Sequence, residues 1–366
     1  MSRHFVLAAG GTGGHMVPAA ALAAELARRG HRVALLSDAR GVRFPGLFEH
    51  VQTHVIPAGR FAGGPLGWAR AARAMLEGRA MAMELYRTFR PAAVIGFGGY
   101  PAFPALAAAF ATKVPCAIHE QNAVLGRVNR LVAGRVDAIA TSYPETQRLN
   151  PKFAAKTRLI GNPVRAAVLA LRHEPYPALD EDGLFRVLVT GGSQGATTLS
   201  QVVPDGLSLL PVAFRRRLQV THQARIEDID AARAKYAALS IAADLSTYIA
   251  DMPAELAWAH LVIARAGAST IAELTTAGRP AILVPLPSAT DDHQTANAHE
   301  ITAAGGARTI VQRRFTAVEL AKQIQKLGLD PQALENAAAR ARGCGRPDAA
   351  KDLADLVEGL GGGGAR

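Results

Sequence analysis

Short apolar runs alternate along the whole chain with longer stretches of helical period. In the first half the runs are Phe5–Ala9, Val33–Ser37, Val51–Pro57, Ala92–Phe97, Cys116–His119 and Ala138–Thr141. In the second they are Arg186–Thr190, Leu218–Thr221, Ser246–Ile249, Leu261–Ala264, Ala281–Val284 and Arg308–Val311. Their length and bounding turn residues predict strands, and the segments between them predict helices. Strand and helix in steady alternation predict a parallel sheet covered on both faces. The pattern runs twice, and the two halves open alike, with "FVLAAGGTGGH" against "VLVTGGSQGAT". Two Rossmann-like domains follow, with ligands expected at the carboxyl ends of their strands. The seam falls near Gly161-Asn162-Pro163, ahead of the proline-rich, acidic stretch Arg172–Gly183. The expected domains are therefore 1–163 and 164–344. A last helical run, Asp348–Leu360, lies past the Gly343/Gly345 break, so residues 345–366 are expected to return to the first domain.

Composition changes this picture in two places. The 22 residues from Pro91 to Thr112 carry no charge, enough to span a bilayer, but three prolines and Gly96, Gly98 and Gly99 interrupt them. They read as a buried strand, a glycine turn and a buried helix, and no transmembrane segment is expected. Charge is the second place. The chain carries a net +11, and residues 1–160 hold 20 Lys and Arg against 8 Asp and Glu, so the whole excess sits in the first half. Such asymmetry suits an anionic partner, a membrane surface or nucleic acid, although scattered solubility charge gives the same count. No helix-turn-helix, zinc spacing or aromatic–basic pattern supports nucleic acid. Two cysteines in 366 residues suggest free thiols and a reducing compartment.

The chemistry concentrates in the turns. A strand–glycine–helix turn offers free N–H groups at the positive end of a helix dipole, and both favour phosphate. Gly10–Gly14 and Gly191–Gly195 are two such turns. The dinucleotide fingerprint fails at Met16, and neither turn is followed by the Lys-Ser/Thr of a P-loop, so a dehydrogenase or NTPase reading is disfavoured. In "ARAGASTIAEL" a further strand end leads into Gly267, Ala268, Ser269 and Thr270, with Glu273 one turn on. Glu273 has two readings, a partner of the helix dipole or an acceptor for the vicinal hydroxyls of a ribose. Gln294 and Asn297 fall on one face of the following helical run.

The motifs "GGTGGH" (10–15), "GGY" (98–100), "HEQN" (119–122), "GNPVR" (161–165), "GGSQGA" (191–196), "RAGAST..E" (265–273) and "HQTANA" (293–298) occur together in this order. In this combination the chain closely resembles the MurG family of bacterial glycosyltransferases, which act in peptidoglycan synthesis. The resemblance implies the GT-B fold, two Rossmann-like parallel-sheet domains facing each other across a cleft. It implies transfer of N-acetylglucosamine from UDP-GlcNAc to lipid I, giving lipid II, with neither metal nor other cofactor. It implies a peripheral protein on the cytoplasmic face of the inner membrane, and the basic first half is expected to meet anionic lipid there. Carried over residue by residue, Arg165 and the backbone at Ile249 match contacts to the uracil region. Ser193 matches a phosphate contact and Glu273 the ribose carboxylate. Ala268, Ser269, Thr270, Ile271 and Ala272, with Gln294, match the stretch around the sugar and phosphates. Thr12, Gly13, Gly14 and Asn122 match donor-sugar contacts.

An α-linked donor and a β-linked product need one displacement with inversion, and the acceptor hydroxyl must lose its proton to a base. His15, where the first glycine turn becomes a helix, is one candidate, since a histidine of ordinary pKa is largely neutral near pH 7. It also reads as a residue that only orients phosphate or caps the helix. Glu120 is the rival base or a structural carboxylate, and His119 reads as a buried strand-end residue. The alternative function is another GT-B enzyme on UDP-GlcNAc, such as a 2-epimerase. For membrane contact the stretch Gly59–Arg90 places Phe61, Leu66 and Trp68 in or beside a Gly/Pro loop among arginines, while Met75 and Tyr86 go with the core.

Overall fold

The structure, a computed structural model, describes residues 2–41, 46–59, 64–180, 182–192, 195–328 and 330–362. The chain divides into two compact units, Met1–Arg165 with Pro347–Arg366, and Ala166–Arg346. The first is built on β1 (His4–Ala8), β2 (Arg32–Ser37), β3 (Gln52–Val55), β4 (Ala93–Gly96), β5 (Cys116–Glu120), β6 (Ala138–Thr141) and β7 (Thr157–Leu159). The second is built on β8 (Phe185–Thr190), β9 (Leu218–Gln223), β10 (Ala242–Ser246), β11 (Leu261–Ala264), β12 (Ala281–Leu283) and β13 (Ala307–Thr309).

The sheet orders are β3-β2-β1-β4-β5-β6-β7 and β10-β9-β8-β11-β12-β13, and every strand pair is parallel. Both are the doubly wound order, in which the chain starts in the middle, winds out one way, then returns to wind out the other. The reversal leaves a crevice at the carboxyl ends of the two central strands. In the first unit those are β1 and β4; in the second, β8 and β11. The glycine turns singled out from sequence follow β1 and β8, and the Gly98–Gly99 and Arg265–Gly267 segments follow their partners. Topology thus gathers four of the motifs into two places.

The central strands of the first sheet are apolar on both sides because both sides are covered. Phe5, Leu7, Leu35 and Ile95 pack against the helix Gly13–Arg28 and the C-terminal helix Ala349–Gly362, through Met16, Leu22, Leu353 and Val357. Val6, Leu36, Val94 and Ile118 pack on the other face, under the helices Gly64–Phe89 and Ala102–Thr112. The C-terminal helix is tied to the first helix by Arg29, which pairs with Asp355 and Glu358, and by His31, which meets Glu358. Cys116 is buried, and both cysteines are free thiols.

Two sheet edges depart from the sequence reading. The tenth strand runs Ala242–Ser246, not Ser246–Ile249, and Ile249 lies in the loop beyond it. β7, at the other edge, has no counterpart among the expected strands. Neither edge strand has a buried residue, so neither shows the continuous apolar run that marked the central ones. The uncharged stretch from Pro91 is a buried strand and a helix of 11 residues, and among the described residues no helix is long and apolar enough to cross a membrane.

Candidate active site

In the first unit, β1 runs into Gly10 and Gly11, and Gly11 has φ +87°. Thr12 then takes the extended conformation before the helix Gly13–Arg28, with no side-chain cap on the helix start. Gly10 is required by closeness: a Cβ there would lie 2.6 Å from Pro101 Cγ in the loop after β4. Part of the expected phosphate cradle is already used. The Asp38 carboxylate accepts from the N–H groups of Gly11 (3.1 Å) and Gly41 (2.8 Å) and pairs with Arg40. Burial raises the Asp38 pKa, but Arg40 and these N–H groups outweigh it, and the net shift is downward. The N–H groups of Gly13 and Gly14 have no acceptor among the described residues.

His15 occupies the third position of that helix, half-buried against the Gly98–Gly99 turn. Its Nδ1 meets Gln121 Oε1 at 2.9 Å. Gln121 Nε2 in turn meets His119 Nδ1 at 2.9 Å, and His119 Nε2 meets the Gly161 carbonyl at 2.8 Å. His119 is fully buried in β5, and burial pulls its pKa down to about 4, so it is neutral at pH 7. Gln121 carried no role in the sequence reading. Its signal was adjacency: it stands between two motif residues, but side-chain contact across 106 positions to His15 is not visible in a string.

Glu120 is 2% exposed and its carboxylate is taken up by its own loop. One oxygen accepts from Asn122 N (3.0 Å) and Asn122 Nδ2 (3.2 Å). The other accepts from Gly126 N (2.7 Å) and Asn129 Nδ2 (2.8 Å). Four donors fill the lone-pair directions of the carboxylate. Asn122 is half-buried and faces this carboxylate through both its N–H groups.

In the second unit, β8 ends in Gly191 and Gly192, and Gly195 precedes the helix Thr197–Ser208. A Cβ on Gly191 would lie 2.4 Å from Ala196 N, so only glycine fits the turn. Thr190 Oγ1 donates to Gln223 and accepts from Gly192 N. Ser193 lies outside the described residues.

After β11 the chain passes through Arg265 and Ala266 to the helix Ala268–Ala277, whose start has no side-chain cap. Arg265 is a brace: it donates to the carbonyls of Val284 and Pro285 and to Gln312 Oε1, and burial lowers its pKa. Gln294 Oε1 accepts from Ala266 N (3.1 Å) and Leu286 N (3.0 Å), and Asn297 Nδ2 donates to Ala266 O. With its oxygen pinned by two backbone donors, the Gln294 amide nitrogen is directed away from them, and it has no acceptor among the described residues. Ser269, Thr270, Ala272 and Glu273 are half-buried, whereas Ala268 and Ile271 turn their side chains into the core. Ser269 and Glu273 are four apart and share a helix face. Ile249, 9% exposed, can offer only backbone, and Arg165 is half-buried just ahead of the helix Ala166–Ala170.

Two doubly wound parallel sheets, each with a glycine turn and an open helix start at its switch point, are the architecture of the GT-B glycosyltransferases. Residues 5–141 match the glycosyltransferase family 28 N-terminal domain, and residues 186–353 match its C-terminal domain. A relative from Zymomonas mobilis subsp. mobilis is 63% identical over 361 residues, 99% of this chain and 93% of its own length. It is named UDP-N-acetylglucosamine–N-acetylmuramyl-(pentapeptide) pyrophosphoryl-undecaprenol N-acetylglucosamine transferase. The crystal structure of Acinetobacter baumannii MurG superposes with a TM-score of 0.78 at 30% identity, covering 98% of this chain and 99% of that one. The chain belongs to this family, the MurG N-acetylglucosamine transferases. A UDP-GlcNAc 2-epimerase from Neisseria meningitidis also superposes, with a TM-score of 0.69 over 97% of this chain and 100% of that one. At 13% identity that likeness shows the fold alone.

Proposed function

We propose that this chain moves N-acetylglucosamine from UDP-GlcNAc to the 4-hydroxyl of the muramyl sugar of undecaprenyl-diphospho-MurNAc-pentapeptide (lipid I), forming lipid II with inversion. The carrying observation is the 63% identity over nearly the full chain with a transferase of that name. The epimerase alternative has only a shared fold behind it. In this reading the second unit holds the donor. Glu273 accepts from the ribose hydroxyls, Gln294 donates to the sugar through its amide nitrogen, and the start of the helix Ala268–Ala277 meets the diphosphate. Ser193 and the N–H groups of its turn act on the same phosphates, while Arg165 and the Ile249 backbone meet the uracil side. As the C1–O bond to UDP breaks, negative charge grows on the diphosphate, and these fixed dipoles stabilise it without reorganising.

The first unit holds the acceptor. Thr12, Gly13, Gly14 and Asn122 are assigned to the donor sugar, and the His15 imidazole takes the proton as the hydroxyl oxygen bonds to C1. Glu120 is assigned to shaping the 120–129 loop rather than to proton transfer, because its carboxylate already accepts four hydrogen bonds. The direct test is transfer of labelled GlcNAc from UDP-GlcNAc to a lipid I analogue. Release of UDP and N-acetylmannosamine without acceptor would favour the epimerase instead. In the same assay Glu273→Ala should raise the donor KM about tenfold or more, since charge-assisted hydrogen bonds are worth about 1.5–3 kcal/mol each. An unchanged donor KM in a folded variant would reject the ribose role.

The acceptor's lipid tail stays in a bilayer, so we assign the first unit a peripheral site on the cytoplasmic face of the inner membrane, against anionic lipid. The helix Gly64–Phe89 supports this. Sequence places Leu66 and Trp68 in or beside a Gly/Pro loop; both lie in the first turns of the helix, which begins at Gly64 and takes Gly67 into its first turn. Leu66 is 75% and Trp68 60% exposed, and Leu66, Leu76 and Met81 lie among Arg70, Arg73 and Arg87 on its outer side. Met75 and Tyr86 are buried, and Phe61 lies outside the described residues. Co-sedimentation with vesicles should rise with anionic lipid and fall with salt, because the attraction is screened over about 10 Å at 0.1 M. Leu66→Ser with Leu76→Ser should weaken binding with the fold intact. Equal binding to neutral and anionic vesicles would remove the electrostatic part of the reading.

A further inference from the structure

The hydrogen bonds that join His15 to the sheet have their directions set from outside. Gly161 O is a backbone carbonyl and can only accept, so His119 Nε2, 2.8 Å away, carries a proton. A neutral imidazole carries only one, so His119 Nδ1 holds a lone pair. Gln121 Nε2 donates to that lone pair at 2.9 Å and to the His119 carbonyl oxygen at 3.0 Å. The second contact is again with a carbonyl, and it fixes which end of the amide is nitrogen. The amide oxygen is thereby turned to His15 and accepts from its Nδ1–H at 2.9 Å. The neutral His15 ring then keeps its lone pair on Nε2. Gly98 and Gly99 hold the ring in place: a Cβ on Gly98 would lie 3.2 Å from His15 Cε1, and one on Gly99 3.5 Å from Cδ2.

We propose that Gln121 is a positioning residue for the transfer reaction: it keys the His15 imidazole to the Nδ1–H tautomer and so presents Nε2 as the proton acceptor. This rests on the reading of His15 as the base. The hydrogen bond at one ring nitrogen decides the state of the other. When the acceptor O–H breaks, the proton goes to Nε2, and the resulting imidazolium keeps its Nδ1–H on the Gln121 oxygen. The amide never takes the proton. Glutamate does not serve equally at this position. Its second oxygen would face both a lone pair on His119 Nδ1 and the His119 carbonyl, and both are acceptors. Only an amide offers an acceptor to one side and donors to the other in a buried site.

The test is nitrogen NMR of the full-length enzyme labelled with ¹⁵N-histidine, recorded above neutral pH, with His15 assigned by its absence in His15→Ala. His15 should show a protonated Nδ1 and an unprotonated Nε2. In Gln121→Met, close to glutamine in length, the His15 signals should move toward the Nε2–H form. In the same variant kcat should fall roughly 10- to 100-fold, part of the 10²–10⁴ a general base supplies, with donor KM within about twofold. If that variant does not fold, the wild-type spectrum decides alone. A wild-type His15 with its lone pair on Nδ1 overturns the proposal, as does an unchanged pattern in folded Gln121→Met. Full activity in His15→Ala alongside the expected spectrum would instead overturn the base reading, and with it the catalytic purpose of the tautomer.

Discussion

His15→Ala is expected to lower kcat by about 10²–10⁴-fold, the contribution of a positioned general base, and to leave the donor KM within a few-fold. The separation follows from where the effect acts. The proton moves only as the new C1–O bond forms, so the loss appears in the transition state and not in donor binding. The donor-binding residues assigned in the second unit, Glu273, Gln294 and the helix Ala268–Ala277, are untouched by the change. Stability should change little, because His15 is half-buried and its side-chain hydrogen bond to Gln121 is on the ring edge. Steady-state kinetics on the lipid I analogue, with donor and acceptor varied in turn, give the split. A rise in acceptor KM with kcat preserved would make His15 a phosphate-orienting residue instead.

Arg279→Met is expected to lower the stability of the second unit by about 3 kcal/mol, the largest effect on folding among these substitutions. Arg279 is fully buried. Its guanidinium donates to Leu256 O and Ala257 O at the end of the helix Met252–Trp258, and to Ala277 O and Gly278 O at the end of the helix Ala268–Ala277. Those are C-terminal carbonyls with no partner inside their own helices. Two helix C-termini, each the negative end of a dipole, converge on one cation, with the Tyr176 ring 5.7 Å away. Burial lowers the arginine pKa to about 10, which still leaves it charged at pH 7. Methionine fills much of the volume but strands the carbonyls, at about 1–3 kcal/mol each, partly offset by no longer burying a charge. For a unit of this size the melting temperature should fall by about 6–12 °C. Calorimetry showing a shift under about 2 °C would mean the carbonyls find other partners.

The brace also bears on the site, because Arg279 anchors the far end of the helix whose start carries Ser269, Thr270 and Glu273. Sequence reading placed that helix by its glycine and Ser-Thr start, and the turns by their glycines, since backbone conformation leaves a local mark. Gly10 and Gly191 are glycine because a neighbouring loop or the turn's own backbone occupies the space a Cβ would need. The central strands were legible for a similar reason. Buried on both faces, they cannot afford polar residues, so the apolar run is written into the chain. At the edges that pressure is absent, and β7 and β10 were missed or misplaced.

Side-chain roles divide along the same line. The sequence by itself determined the doubly wound repeat, the two glycine turns and the family, because each follows from short-range pattern or from motifs in order. Only the tertiary structure decided what those side chains are free to do. It gave Glu120 to its own loop, used Asp38 to fill one amide of the first turn, turned the Gln294 amide by its oxygen, and joined His15 to Gln121 and His119. The physical reason is that a lone pair or a proton is assigned by what stands within about 3 Å of it, and for His15 that neighbour lies 106 residues away in the chain.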